Sequence, residues 1–363
     1  MWYTQDKIIR ILSDMISEIL DQPVAAPFRN DSLLTDDLGL NSMQILELSI
    51  KINTFFQLHK SDEPPYLLNL RIICDWVEKI IIALKHSTET IAFTTSGTGG
   101  ARKLVQKKIC DLFEEVDFLQ QIVPKSNSLI SFIPSQNIYG FLFTILLPHK
   151  LQIPAIVYTD KIEDHKLSNS LIVATPFHWQ YIFEIYHSKN IKLQGISSGA
   201  PLDPQLYIKL ISLGWTILDV YGSTETGGVG YRFNWKDSFQ LFPYFNFNNF
   251  NNPTALIYKD NKIISLSDSI IMTRPGYFLV NGRLDGAVQI AGINIQIKDI
   301  ESFIIAIEEV SSATVYAKGI SGNTILFCSI TLHNNTPVNQ SKCLSFIKKS
   351  LTATQLPSKI TFN

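Results

Sequence analysis

Residues 94–103 read TTSGTGGARK and residues 221–225 read YGSTE, and the interpretation of the chain begins from these two stretches. The first places threonine, serine and glycine in a short loop that ends in Lys103. Such a loop can offer backbone N–H groups, hydroxyls and one cation to a polyphosphate. The second places an aromatic ring, a hydroxyl and a carboxylate within five residues, which suits a base-stacking wall, a phosphate contact and a magnesium ligand. Together the two stretches predict a site for ATP.

The glycine-rich loop is not a Walker A motif, because Gly97 is followed five residues later by Arg102 instead of the required glycine. A flexible Gly/Ser linker between domains is an alternative interpretation. The loop resembles T-S-G-T-T-G-x-P-K, the signature of the adenylate-forming superfamily of acyl-CoA synthetases and peptide-synthetase adenylation domains. The matching residues are Thr95, Ser96, Gly97, Thr98, Gly100 and Lys103, whereas Gly99 replaces the second Thr and Arg102 replaces the Pro.

Further stretches resemble motifs of the same superfamily, in the same order. Residues 134–140, PSQNIYG, resemble the P-x-x-H-x-x-G segment of the acyl pocket, with Asn137 in place of His. Residues 198–202, SGAPL, resemble the G-G-A-x-L turn beside adenine and contain Gly199 and Ala200. Asp268 lies 14 positions before Gly282, close to the spacing between the ribose-binding Asp and the G-R-x-D element. Residues 282–285, GRLD, match that element and contain Arg283.

The resemblance implies a role for each matching residue in an ATP site with a magnesium ion. Lys103 and the loop hydroxyls hold the β- and γ-phosphates, and Thr224 contacts the α-phosphate. Glu225 is the metal ligand, Tyr221 stacks on adenine, and Asp268 binds the ribose hydroxyls. Lys103, Thr224 and Glu225 are the implied catalytic residues, and the loop residues, the SGAPL turn, Tyr221, Asp268 and Arg283 are the implied nucleotide-binding residues.

The middle of the chain predicts an α/β domain with a mostly parallel sheet, from residue 91 to 283. Short apolar runs alternate with helical patterns, as in sheets with helical crossovers. The predicted strands are 129–133, 155–158, 171–174 and 215–220, and the predicted helices are 179–187 and 204–213. Residues 286–363 predict a small α+β lid, with strands at 314–317 and 324–330 and a helix at 341–351. In the resemblance this lid rotates about Asp285.

The first 85 residues predict an all-α four-helix bundle that folds as a unit of its own. Apolar residues recur at helical spacing from Ile8 to Ile19, and Ser42 stands at a predicted N-cap before a second helix. Residues 36–48, DDLGLNSMQILEL, resemble the L-G-x-D-S-[LM] site of acyl carrier proteins, with Asn41 in place of Asp. That resemblance implies a 4′-phosphopantetheine arm on Ser42. It also implies a phosphopantetheinyl transferase and downstream synthases as partners. The alternative is that Ser42 is an ordinary helix cap.

Composition excludes several classes of protein. A chain of 363 residues predicts two or three domains, and 45% apolar residues suffice for a sizeable core. A net charge of −1 argues against nucleic-acid and anionic membrane surfaces as partners. The four cysteines are scattered without a C-x-x-C pair, and the N-terminus lacks the order of a signal peptide. The longest apolar run, 139–148, is shorter than the ~20 residues that span a bilayer. We therefore expect a cytoplasmic protein.

Taken together, the sequence predicts an AMP-forming acid–thiol ligase. We expect it to activate an aryl or fatty acid as the acyl-adenylate and to pass the acyl group to a phosphopantetheine thiol on its own carrier domain. No Asp lies between residues 128 and 140 to hold a substrate amine, which favours such acids over an amino acid. The final residues, LPSKITFN, resemble the stretch before the family's P-x-x-x-x-G-K element, so a truncated lid and slow adenylation are expected, and Lys359 is not assigned that lysine's role. Two alternatives remain: a degenerate domain that binds nucleotide or scaffolds a carrier without ligation, and a carrier that holds an acyl chain for a separate synthase.

Overall fold

The computed structural model describes residues 1–22, 31–61, 66–87, 89–95, 103–158, 162–247, 256–259, 262–284, 286–290, 293–320 and 323–363. Three helices form in the N-terminal part, and two single 3₁₀ turns lie at Leu58–Lys60 and Leu67–Asn69. The helices are α1 (Gln5–Leu20), α2 (Ser42–Phe56) and α3 (Ile73–Ser87). The predicted four-helix bundle is therefore not confirmed in the described residues.

The N-cap of α2 differs from the prediction. Asn41, not Ser42, caps the helix: its side chain accepts a hydrogen bond from the Gln44 amide at 3.0 Å, and the Gln44 side chain accepts one from the Asn41 amide at 2.9 Å. This capping box satisfies two backbone donors that a helix start leaves without partners. Ser42 is the first residue inside the helix and is exposed.

Beyond the N-terminal helices the chain forms a hairpin and then alternates helices with strands. The elements in order are β1 (Thr90–Thr95), β2 (Lys103–Lys108), α4 (Ile109–Ile122), β3 (Ser128–Ser131), α5 (Ile138–Gly140), α6 (Leu147–Leu151), β4 (Ala155–Val157), α7 (Asp164–Ser168), β5 (Ser170–Ala174), α8 (Pro176–Tyr186), β6 (Gln194–Ser197), α9 (Pro204–Ser212) and β7 (Thr216–Ser223). A buried π-helical segment, Phe141–Leu146, joins α5 to α6, so the longest apolar run of the sequence is a core helix. The four predicted strands and two predicted helices of this region are confirmed, with ends shifted by up to three residues.

After β7 the chain continues as antiparallel strands. These are β8 (Gly227–Arg232), β9 (Phe239–Leu241), β10 (Asn246–Phe247), β11 (Leu256–Lys259), β12 (Lys262–Ser265), β13 (Asp268–Arg274) and β14 (Tyr277–Arg283). The large sheet has nine strands in the order β13-β14-β9-β8-β7-β6-β5-β3-β4. Its pairs are parallel from β4 to β7 and antiparallel from β7 to β13. The prediction of a mostly parallel sheet is wrong for this second half, because short connections there leave no room for crossover helices.

Strands β3 and β5 are buried on both faces of the sheet, because successive side chains of a strand point to opposite faces and both sets are covered, whereas edge strand β4 is exposed. Leu129, Leu171 and Val173 belong to a cluster with the N-terminal helices and α4. Ile130 and Ile172 alternate with them and pack with α8 and α9 in a second cluster. The sheet is thus the middle of three layers, and the N-terminal helices form part of one outer layer.

The N-terminal helices share the hydrophobic core of the sheet domain. Phe55 of α2 packs edge-to-face on Phe93 of β1 and on Phe141, with ring centroids 5.6 and 5.7 Å apart. Trp2 packs on Phe141 in the same way at 5.1 Å. All four rings lie in one cluster. The described helices are therefore not packed as a unit of their own; the boundaries 1–85 and 91–283 remain sequence predictions.

The C-terminal residues form a small α+β unit with its own hydrophobic cluster. Its elements are β15 (Val288–Ile290), β16 (Ile293–Ile295), α10 (Ile297–Ile305), β17 (Val310–Ile320), β18 (Asn323–Leu332), α11 (Pro337–Ser350) and β19 (Lys359–Phe362). The two predicted strands lie within β17 and β18, and the predicted helix 341–351 overlaps α11, which ends one residue earlier. The predicted role of residues 286–363 as a moving lid stays a prediction, and Asp285, the predicted hinge, lies outside the described residues.

Candidate active site

Three residues that the sequence assigned to adenine, ribose and the G-R-x-D element lie together at one end of β7. The Tyr221 hydroxyl donates to Asp268 Oδ2 at 2.6 Å. Asp268 begins β13 directly opposite Arg283 of β14. Burial and the neighbouring Asp268 raise the pKa of Tyr221, so the phenol stays protonated and keeps donating at neutral pH. The structure thus brings together residues that are 47 and 62 positions apart in the chain.

Two aromatic rings pack against the ring of Tyr221. Phe239 and Phe278 stand 5.8 and 5.7 Å from its ring, centroid to centroid. The guanidinium of Arg232 lies over Phe239 at 4.2 Å and donates to Asp219 Oδ2 at 2.8 Å. Burial raises the pKa of Asp219 to about 6, against the opposing effect of Arg232. The stacked rings of Phe239 and Phe278, together with the buried Arg232–Asp219 ion pair, therefore hold the Tyr221 ring in position.

Thr224 and Glu225 lie in the turn between β7 and β8. Ser223 and Thr226 close this turn, because their hydroxyls are 3.0 Å apart and the Thr226 hydroxyl accepts from the Ser223 amide at 3.1 Å. Glu225 is exposed, and its carboxylate has no hydrogen-bond or ion-pair partner within the described residues. A free carboxylate on a short turn fits a magnesium ion that takes its remaining ligands from water and phosphate.

The predicted phosphate loop joins the two strands of the β1–β2 hairpin. Thr95 and Lys103 face each other across its last pair, and the Thr95 hydroxyl donates to the Lys103 carbonyl at 3.5 Å. The Lys103 side chain is exposed. Ser96, Gly97, Thr98 and Gly100 lie outside the described residues. The loop therefore leads into a strand, so Lys103 does not begin a helix.

The turn assigned to adenine follows β6. The Ser198 hydroxyl donates to the Val220 carbonyl at 2.7 Å and so ties this turn to β7, one residue before Tyr221. Gly199 has a φ of +84°, a conformation that glycine adopts without strain, and Ala200 is half-buried. The backbone of this turn lies beside the strand that carries Tyr221, and its predicted place beside adenine stays a prediction.

The predicted acyl-pocket segment is rigid. Asn137 accepts from the Gly140 amide at 2.7 Å as the cap of α5, so the position where the family carries His has a structural contact here. The Tyr139 hydroxyl lies 3.1 Å from both the Ala174 and Ile196 carbonyls, at the carboxyl ends of β5 and β6. A Cβ on Gly140 would stand 1.8 Å from the Pro134 carbonyl oxygen, so the segment folds tightly on itself.

Helix α1 clamps this segment through a carboxylate. Asp14 Oδ2 accepts from the Ser135 amide at 2.7 Å, the Ser135 hydroxyl at 2.6 Å and Arg10 Nε at 3.0 Å. Arg10 also donates to the Ile133 carbonyl at 3.3 Å. Sequence reasoning placed α1 in a separate carrier and missed this contact. The signal was present in Arg10 and Asp14, two charges spaced i, i+4 among the apolar residues of α1.

The sequence alone did not identify two further charged residues near the turn between β7 and β8, Lys107 and Glu115. Lys107 of β2 donates from Nζ to the Glu225 carbonyl at 2.5 Å, and Glu115 of α4 accepts from the Gly228 amide at 2.8 Å. Glu115 is 5% exposed and lies among Leu112, Val116 and Leu119 on the buried side of α4. A carboxylate on the apolar side of a helix was the signal that could have revealed it.

Within the described residues, no three or more His, Cys, Asp or Glu side chains are grouped as a preformed metal site. A metal that is completed by substrate phosphates needs no such group. No helix in the described part of the chain combines the length and apolar character that crossing a membrane requires.

No profile of a known protein family matches the chain. The chain is similar to individual enzymes. It is 30% identical over 305 residues to the 4-coumarate–CoA ligase of Cereibacter sphaeroides, which covers 81% of this chain and 73% of that enzyme. It is 27% identical over 334 residues to the 4-coumarate–CoA ligase of Halorhodospira halophila, which covers 86% of this chain and 83% of that enzyme.

The second match reaches into the N-terminal helices. Because it covers 86% of 363 residues, the unmatched remainder is shorter than the first 85 residues. Part of the predicted carrier region therefore has a counterpart in a CoA ligase. This agrees with the shared core of α2, β1 and Phe141.

Solved structures share the fold at low sequence identity. The o-succinylbenzoate CoA synthetase of Bacillus subtilis superimposes with a TM-score of 0.62 at 14% identity and covers 78% of this chain and 70% of its own. The amide bond synthetase of Marinactinospora thermotolerans superimposes with a TM-score of 0.63 at 12% identity and covers 77% of this chain and 66% of its own. The mixed α/β fold with one large sheet is that of these structures.

Proposed function

This chain belongs to the 4-coumarate–CoA ligase family of AMP-forming acid–thiol ligases, and we propose that it activates an aryl acid with ATP and transfers the acyl group to coenzyme A. One observation carries the proposal: Tyr221 of β7 hydrogen-bonds Asp268 of β13, which pairs with Arg283 of β14, and β7 leads directly into Thr224 and Glu225. The proposed base and phosphate contacts thus lie on β7 and directly after it, and the proposed sugar contact is hydrogen-bonded to Tyr221.

The first half-reaction forms an acyl-adenylate. A carboxylate oxygen of the acid attacks the α-phosphorus of ATP, the bond to the bridging oxygen breaks, and pyrophosphate leaves. Tyr221 and Asp268 hold adenine and ribose, while Lys103 and the loop hydroxyls hold the outer phosphates. Thr224 contacts the α-phosphate. A magnesium ion on Glu225 would neutralise part of the triphosphate charge. The protein contributes position and charge, as phosphoryl chemistry requires.

The second half-reaction forms the thioester. The thiol sulfur attacks the acyl carbon, AMP leaves, and the thiol proton passes to solvent. Residues 286–363 act as the lid that reorganises the site between the two steps. The two relatives named as 4-coumarate–CoA ligases favour an aryl acid of that type and free CoA as the acceptor. The absence of Asp between residues 128 and 140 supports an acid without an amino group.

A second acceptor is a phosphopantetheine arm on Ser42. The Ser42 side chain is exposed at the start of α2, and its phosphodiester would lie near the positive end of the helix. Helix α2 is fixed in the core through Phe55, so such an arm would swing from a stationary helix and not from a mobile domain. Free CoA needs no such movement and is the preferred acceptor. In the second case the chain would need a phosphopantetheinyl transferase and would serve downstream synthases.

Acid-dependent exchange of pyrophosphate into ATP tests the first half-reaction. The panel contains 4-coumarate, benzoate, a medium-chain fatty acid and amino acids. We expect exchange with an aryl acid and its loss in Glu225→Ala, with wild-type rates in Glu184→Ala, an exposed glutamate on α8. Exchange that survives in Glu225→Ala would contradict the metal role. Binding of ATP without exchange for any acid would favour a degenerate nucleotide-binding domain.

Intact-mass analysis separates the two acceptors. The chain is incubated with CoA and a broad phosphopantetheinyl transferase, alongside a known carrier protein. A mass increase of one arm that disappears in Ser42→Ala would establish the carrier acceptor. An unchanged mass beside a modified control would leave CoA as the acceptor.

A further inference from the structure

The turn that carries Thr224 and Glu225 is bound from outside by two charged side chains that belong to none of the recognised motifs. Lys107 Nζ donates to the Glu225 carbonyl at 2.5 Å. Glu115 Oε1 accepts from the Gly228 amide at 2.8 Å, three residues further along. Both side chains come from the segment that directly follows the predicted phosphate loop, on β2 and α4.

The contact of Glu115 is close and buried. A Cβ placed on Gly227 would stand 2.5 Å from Glu115 Oε2, and one placed on Gly228 would stand 2.6 Å from Oε1. The carboxylate therefore packs directly against the backbone of both glycines. Burying a carboxylate costs free energy unless hydrogen bonds replace its hydration. Glu115 therefore carries a desolvation cost at this position that an apolar residue would not have. An apolar residue would serve packing alone, and this choice indicates a second requirement.

Lys107 connects the turn to β2, the strand that also carries Lys103. Side chains two and four residues apart on a strand point to the same side, so Lys107 and Lys103 lie on one side of β2. Lys103 is the first described residue after the loop, and its side chain is exposed. The strand that carries the predicted phosphate cation thus also binds the backbone of the predicted metal ligand.

We infer that Lys107 and Glu115 are positioning residues that hold the Thr224–Glu225 turn in place relative to Lys103 on β2, so that the metal ligand and the phosphate cation contact one bound triphosphate. This inference rests on the proposed nucleotide site. The turn closes by itself through Ser223 and Thr226, so the two outer contacts set its place relative to β2 and not its internal shape.

The inference predicts a specific loss on removal of the Lys107 contact. Lys107→Met keeps the aliphatic stem and removes the donor, and Lys107→Arg restores a donor. The loss of one hydrogen bond from a charged donor corresponds to roughly a tenfold change in an equilibrium constant. We therefore expect Lys107→Met to bind ATP about tenfold more weakly than wild type in the presence of Mg²⁺. Affinity for ATP in EDTA should fall less, since without a metal only the Thr224 contact depends on the position of the turn. Lys108→Met is the matched control, an exposed lysine on the next position.

Calorimetric titration of the whole chain with ATP, with Mg²⁺ and with EDTA, measures these affinities without any turnover. A loss that is larger in the Mg²⁺ titration than in EDTA, partly restored in Lys107→Arg and absent in Lys108→Met, would support the inference. Equal losses with Mg²⁺ and EDTA, or none, would overturn it. Wild-type protein that fails to bind ATP under either condition would instead contradict the proposed function, so the two failures are distinct.

Glu115 is tested with a conservative pair. Glu115→Gln keeps an oxygen acceptor and nearly the same volume, whereas Glu115→Ala removes the acceptor and leaves a cavity. We expect Gln to bind ATP and Mg²⁺ within about threefold of wild type, because the amide oxygen can still accept from Gly228. The Ala variant should lose about tenfold in the Mg²⁺ titration. Equal Mg²⁺ affinities for Gln, Ala and wild type would contradict a positioning role for Glu115.

Discussion

Replacing Phe55 with alanine tests whether the N-terminal helices are part of the ligase. Phe55 is 4% exposed and its ring meets Phe56, Phe93 and Phe141 at 4.9, 5.6 and 5.7 Å. Only the first of these partners lies in the N-terminal helices. Truncating a buried phenylalanine typically costs about 3–5 kcal/mol in free energy of unfolding, a large part of the ~5–15 kcal/mol that stabilises a protein.

We expect Phe55→Ala to lower the unfolding midpoint of the whole chain by about 5–10 °C. Differential scanning calorimetry gives the midpoints, and acid-dependent pyrophosphate exchange measured over the same temperatures gives the activity. Both should fall together, because the lost contacts hold α2 against β1 and the π-helical segment. Met43→Ala is the control on the same helix, since Met43 is 73% exposed, and it should change stability by less than about 0.5 kcal/mol.

Unfolding in two separate steps would contradict a shared core of the N-terminal helices and the sheet. If Phe55→Ala unfolds in two steps, with the step that removes ligase activity at its wild-type temperature, the helices fold independently of the sheet. The first 85 residues would then form a separate domain, as the carrier resemblance predicts. A single shifted transition would instead place them in the ligase core.

Three further predictions concern the sheet and the nucleotide site. Tyr221→Phe keeps the ring and loses the hydrogen bond to Asp268, so the KM for ATP should rise about tenfold while the KM for the acid stays unchanged; a parallel rise in both would contradict the assignment. Gly140→Ala should leave little folded protein, since the new Cβ would lie 1.8 Å from a carbonyl oxygen, and circular dichroism after expression checks this. Folded Asp219 keeps its proton up to a pH near 6, against 3.8 for the ordinary carboxyl, so its ionisation should lower the free energy of unfolding as the pH rises between these values, by up to about 3 kcal/mol. Urea titrations at pH 4.5 and 6.5 should show this slope in wild type, and a slope that is as steep in Asp219→Asn would disprove it.

The parts of the fold that the sequence predicts are those with a local signal. Strands β3, β5 and β7 each contain a short apolar stretch, and Pro204 stands in the first turn of α9, where proline is favoured. The nucleotide-site residues were predicted from short local motifs, and the sheet brings the Tyr221 hydroxyl to 2.6 Å from Asp268 Oδ2.

Most of the errors have one physical cause: a short stretch of sequence does not specify which distant strand or side chain it will contact. The antiparallel half of the sheet depends on which strands meet after β7, and periodicity does not specify this. The cap of α2 was misplaced by one residue because Asn and Ser both favour that position. The docking of α1 on Ser135 and the contact of Glu115 with Gly228 join residues more than 110 positions apart. In the sequence, the signal for each contact was a charged residue among the apolar residues of a helix, Asp14 in α1 and Glu115 in α4.

The predicted independence of the N-terminal helices rests on local signals alone, and the shared hydrophobic cluster does not support it. An amphipathic helix shows that one side is buried but not what buries it. For α2 the partners include Phe93 and Phe141, which lie outside the first 85 residues. The motif around Ser42 remains compatible with modification, because the serine is exposed.

Product analysis of one complete reaction tests the central claim most directly. Wild-type protein is incubated with 4-coumarate, ATP, Mg²⁺ and CoA, and nucleotides, pyrophosphate and thioester are quantified by chromatography and mass spectrometry. The account predicts one AMP and one pyrophosphate for each coumaroyl-CoA formed, with none formed when the acid is left out. Formation of ADP and phosphate, or bound ATP that is never converted with any acid of the panel, would contradict an AMP-forming ligase.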